Sequence, residues 1–110
     1  MEFIIHALYL HITKALSSHQ LLSSLEFKPD DIELNLKNYG DYTINHCLRW
    51  ASVIRKQPRE IAKMLISILQ ETQSEMGGHY RDVFGDDHPV YECAGPGFIN
   101  ITVNTRCFSR

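Results

Sequence analysis

The sequence predicts an α+β fold in two layers, with helices packed on one face of a small, mostly antiparallel sheet. Three observations lead there. Apolar residues recur at helical spacing near the start of the chain and again after Pro58. They alternate with polar residues at Ile32–Leu36 and again at Ile99–Val103. A Gly95-Pro96-Gly97 corner joins two strand-like runs near the end. The order that results is helix, strand, helix, helix, strand, strand.

Residues 2 to about 17 place Ile4, Ile5, Leu8, Ile12, Ala15 and Leu16 on one stripe, the core-facing side of a helix. Ser17-Ser18 and Ser23-Ser24 loosen the chain, and Pro29-Asp30 marks a turn. Ile32-Glu33-Leu34-Asn35-Leu36 reads as a strand with Ile32, Leu34 and Leu36 inward. Asn38-Tyr39-Gly40-Asp41 reads as a turn whose Asp41 can cap a helix running to about Lys56. That helix is expected to bury Ile44, Cys47, Leu48, Ala51 and Ile54. Pro58 opens the next helix, because its missing N–H is not needed in a first turn. Ile61, Met64, Leu65, Ile68 and Leu69 form the buried face of that helix, to about Glu71. Thr72 to Pro89 is polar, contains Gly77-Gly78 and Gly85-Asp86-Asp87, and keeps no period. It is expected to be a long flexible loop over residues 72–89, with fast amide exchange. Val90–Ala94 and Phe98–Val103 then pair as a hairpin.

The 110 residues make one domain, and the composition excludes several classes of function. A net charge of −2 is not that of a protein that coats nucleic acid, so any RNA contact must rest on a few residues. No apolar run approaches the roughly 20 residues that span a bilayer, and the start lacks the pattern of a signal peptide. Cys47, Cys93 and Cys107 are odd in number and widely spaced, as in a reducing compartment. The expected location is therefore the cytoplasm. His6, His11 and His19 do not fall on one helical face as a ligand pair would, and Asp86-Asp87 reads as a solvated loop tip. No metal, nucleophile or phosphate-binding loop is expected.

The last strand is the informative one. Ile99, Ile101 and Val103 fall on one face of its pleat, and Phe98, Asn100 and Thr102 on the other. Phe98 and Asn100 are then roughly 7 Å apart. A ring and a primary amide at that spacing suit an unstacked nucleobase: one stacks, the other bonds a base edge. On the pattern alone, a packing role for Phe98 is the commoner outcome.

Three segments carry a resemblance. Gly40-Asp41-Tyr42, Gln57-Pro58-Arg59-Glu60-Ile61-Ala62 and Ala94-Gly95-Pro96-Gly97-Phe98-Ile99-Asn100-Ile101 occur in this order between Lys37 and Val103. Together they resemble the N-terminal additional domain of arginyl-tRNA synthetases. The resemblance implies a two-layer α+β domain that touches the D-loop at the elbow of tRNA(Arg). It implies that Phe98 and Asn100 hold one splayed base, and the Gly95-Pro96-Gly97 corner would let the backbone approach the RNA. Arg49, Arg55, Lys56, Arg59 and Lys63 could add charge, although Pro58 prevents 49, 56 and 63 from sharing one helical face.

The family's class I catalytic motifs are not found: His11-Ile12-Thr13-Lys14 lacks the glycine and second histidine of the first. The chain alone is expected to be inert in aminoacylation and to carry no cofactor, since ATP and arginine would bind the absent catalytic domain. The expected partner is tRNA(Arg), not DNA or a membrane, and the expected state is a monomer. The rival reading is a protein-interaction module that keeps the fold and has lost RNA binding.

Overall fold

A computed structural model describes residues 2–34, 41–84 and 88–103. Helix α1 (Glu2–Ser18) is followed by two short 3-10 turns, Leu22–Ser24 and Pro29–Asp31, and then by strand β1 (Glu33–Leu34). Strand β2 (Asp41–Ile44), helix α2 (Cys47–Ile54) and helix α3 (Pro58–Thr72) come next. A 3-10 turn (Gln73–Glu75) leads to helix α4 (Gly78–Phe84), and the hairpin of β3 (Val90–Ala94) and β4 (Phe98–Thr102) ends the described chain. The sheet has the order β1-β2-β4-β3, and every neighbouring pair is antiparallel. Helices on an antiparallel sheet are the two-layer α+β class that the sequence predicts.

The core lies between the layers. α1 contributes Ile4, Ala7, Leu8, Ile12, Ala15 and Leu16, and α3 contributes Ile61, Ala62, Leu65, Ile66 and Leu69. The sheet answers with Tyr42, Ile44, Tyr91, Ile99 and Ile101, each at alternate strand positions. No helix among the described residues is long and apolar enough to cross a membrane.

Two expectations of the sequence are corrected. Asp41 does not cap a helix: Asp41–Ile44 is a strand, held between β1 and β4. Tyr42, Thr43 and Ile44 favour the pleat, and pairing on both sides outweighs the local turn signal. α2 therefore begins later, with His46 at its N-cap and no side-chain capping bond. The shift in phase buries Cys47 and Trp50 and leaves Leu48 44 % exposed. The long loop expected over residues 72–89 also contains a helix. α4 forms there because Tyr80, Val83 and Phe84 pack into the core, with the Tyr80 and Phe84 rings 4.9 Å apart. The inward placing of Leu36, the turn at 38–40, the Asp86-Asp87 pair and Cys107 fall outside the described residues.

Candidate nucleic-acid interface

The pleat divides β4 as its sequence requires. Ile99 and Ile101 are fully buried, and Val103 just beyond the strand is nearly so. Phe98 and Asn100 are half-buried on the opposite side, where Thr102 is exposed. Strand register extends that side across the sheet: Glu33, Thr43, Asn100 and Glu92 are successive partners on β1, β2, β4 and β3. Ala94 stands beside Phe98, and Val90 beside Thr102. Glu33, Glu92, Val90 and Thr102 are exposed, so this is the solvent side of the sheet.

Neither of the two central residues is loose. The Thr43 hydroxyl donates to Asn100 Oδ1 at 3.2 Å across the β2–β4 pair. The Phe98 ring rests beside the turn: a Cβ on Gly95 would lie 3.5 Å from its Cδ2 atom. That turn is closed by the Gly97 N–H donating to the Ala94 carbonyl at 3.3 Å, with Gly95 at φ +55. A left-handed first central residue matches the twist of the two strands, and glycine takes it without strain.

The corner is fastened to α3 at two points. Gly97 is buried at φ +140 against Pro58, and a side chain there would collide with the proline ring. Arg59, on the same first turn of α3, donates from its guanidinium to the Gly95 carbonyl at 3.3 Å. Gly95 and Pro96 remain exposed at the tip. The expected site residues Gly95, Pro96, Gly97, Phe98 and Asn100 thus form one continuous patch, but Gly97 faces into the protein. Its missing side chain makes room for Pro58.

Charge is unevenly distributed around the patch. Arg59 places a cation at the corner, whereas the carboxylates of Glu33 and Glu92 occupy the row that contains Asn100. An anion is favoured at the corner, and a neutral polar group is favoured in the row. Lys63, exposed four residues after Arg59, lies on the same face of α3 one turn along. Arg55 stands at φ +56 where α2 ends, so α2 and α3 are separate helices. Arg49 lies in a groove of about 360 Å³ lined also by Lys28, Asp31, His46 and Trp50.

Catalytic chemistry finds little support among the described residues. No group of three or more His, Cys, Asp or Glu is arranged to hold a metal ion. Burial pushes the Cys47 thiol up to about 12, which keeps it protonated and poorly nucleophilic at neutral pH. His11 is buried between α1, α3, α4 and β3, and burial, with Lys14 and His88 nearby, lowers its pKa to about 4. The Thr72 hydroxyl donates to the Ile68 carbonyl at 2.8 Å, so His11 Nε2 donates to Thr72 Oγ1, also at 2.8 Å. Nδ1 is then the acceptor for the Tyr91 hydroxyl at 3.4 Å. A neutral histidine with both nitrogens engaged is a core residue.

The sequence places Thr43 in a helix, and it offers Arg59 only as one of five basic residues that could add charge. The aromatic and β-branched run Tyr42-Thr43-Ile44, of strand-favouring residue types, was the available signal for the first.

Comparison with known proteins gives a consistent result. Residues 6–83 match the family described as arginyl tRNA synthetase N terminal domain. An arginine–tRNA ligase of Prochlorococcus marinus is 34% identical over 92 residues, which are 83% of this chain and 14% of that protein. A ligase of the same name from another strain is 31% identical over 116 residues, covering 99% of this chain and 18% of the relative. One from Salinibacter ruber is 35% identical over 86 residues, 74% of this chain and 14% of its own. The chain therefore spans less than a fifth of the length of these relatives. No solved structure matches.

Proposed function

This chain belongs to the arginyl-tRNA synthetase N-terminal domain family, and from that membership we propose that it is a tRNA-binding domain serving an arginine–tRNA ligase. Its partner is the D-loop at the elbow of tRNA(Arg), in the cytoplasm, and it acts as a monomer. Phe98 stacks on one splayed base and Asn100 bonds the edge of that base. Gly95 and Pro96 offer an exposed backbone to the RNA, while Gly97 and Arg59 hold the corner against α3. On this reading the domain needs no catalytic group and no cofactor of its own. ATP and arginine bind elsewhere in the full-length enzyme.

One observation carries this reading. Phe98 and Asn100 share the solvent side of β4, and the cation beside them lies at the corner and away from the Asn100 row. Stacking on one aromatic side chain is worth about 1–3 kcal/mol, enough to matter in a contact with so little positive charge. Phosphate contacts to the domain must be few, because its net charge is −2. Titration of the chain with an arginine tRNA transcript from 50 to 200 mM salt should therefore show binding with a shallow dependence. A log–log slope of about −1 to −2 is expected, as for one or two neutralised phosphates. Binding no stronger than to an unrelated RNA would overturn the proposal. That result would favour the protein-interaction reading, which the exposed Val90 and the carboxylates of Glu33 and Glu92 on the same side support.

A further inference from the structure

We infer that Thr43 is a positioning residue that turns the Asn100 amide so that its NH2 group faces the ligand, making the site selective for a base edge that offers hydrogen-bond acceptors. This rests on the RNA-binding reading and adds to it the chemical class of the edge. A primary amide has two opposite ends, and rotating it exchanges two donors for an acceptor. Which end a ligand meets is set by the neighbours. On the β2 side the Thr43 hydroxyl donates to Asn100 Oδ1 at 3.2 Å, which occupies the acceptor end. On the β3 side the cross-strand partner is the exposed Glu92, which leaves the Thr43 bond as the contact that fixes the amide.

The row has a second consequence. Glu92 stands next to Asn100 in the row and Glu33 two strands away, so a phosphate oxygen approaching Asn100 meets an adjacent negative charge. A carbonyl oxygen or an unprotonated ring nitrogen of a base carries no such penalty. The acceptor that meets Asn100 is therefore part of a base, and the backbone of the same nucleotide lies toward Arg59.

The test uses four arginine tRNA transcripts that differ only in the base at the contacted D-loop position. The unaltered chain should prefer one or two of them. Thr43→Val keeps the volume and β-branching of threonine but removes the hydroxyl, and should reduce that preference by about two- to tenfold. Thr43→Ser should retain it, which a merely structural role for the methyl group would not predict. Thr43→Ala gives the same readout if the valine variant fails to fold, as judged by urea melts. Phe98→Ala should weaken binding to all four transcripts alike. If Phe98→Ala weakens binding while Thr43→Val leaves the preference intact, or if the unaltered chain has no preference, the role of Thr43 is overturned and RNA binding stands. If Phe98→Ala changes nothing, the RNA reading itself is overturned, and this inference falls with it.

Discussion

Ile99 and Ile101 lie on one side of β4 at 0% exposure, while their sequence neighbours Phe98 and Asn100 remain half-open on the other. The inner pair packs against residues of α3 and of the neighbouring strands, so its energy is that of apolar burial. The outer pair has few partners of its own, a turn glycine for the ring and one hydroxyl for the amide. If the outer side binds RNA as proposed, the alternation separates two tasks over a distance of one residue. Substitutions on the inner side should change folding, and substitutions on the outer side should change recognition.

The contrast can be broken at its strongest point first. Ile99→Ala removes a fully buried side chain beside Ile44 and Cys93 and should cost about 2–5 kcal/mol of stability in urea melts. RNA affinity extrapolated to the folded fraction should be unchanged. A large loss of affinity in a still-folded protein would mean that the two sides are coupled.

Acid sharpens the same contrast. The pKa of His11 falls from 6.5 unfolded to about 4 in the fold, so the unfolded chain binds the additional proton between those values. Stability is therefore complete above about pH 6.5 and is lost as the pH falls toward 4, by about 3 kcal/mol for this group. His11→Gln should flatten that part of the stability profile relative to the unaltered chain. A profile that is the same for both would show that His11 is not held neutral in the core.

Much of this arrangement is legible in the sequence because it depends on long, regular patterns. The stripes of α1 and α3 and the alternation of β4 place Leu8, Ile12, Leu65, Ile99 and Ile101 in the core. Short elements are less legible. β2 has four residues, too few to establish a period, and Asp41 mimics a helix cap just where the strand begins. α4 has seven residues and begins at the second of two glycines, and it is the burial of Tyr80, Val83 and Phe84 that makes it a helix. At the candidate site the sequence yields Phe98 and Asn100 from the pleat. It yields neither Thr43, which requires the register of β2 on β4, nor the packing of Gly97 on Pro58, which requires α3 to be in place.

If the outer side of β4 binds RNA, Phe98→Ala shows it most directly when folding and binding are measured on the same protein. Affinity for an arginine tRNA transcript should fall by about 1–3 kcal/mol, the worth of one base–aromatic stack. Stability in urea should fall much less than for Ile99→Ala, because the ring is only half-buried. A variant that unfolds, or that folds less stably and binds the transcript as tightly as before, would place Phe98 among the packing residues and contradict the account.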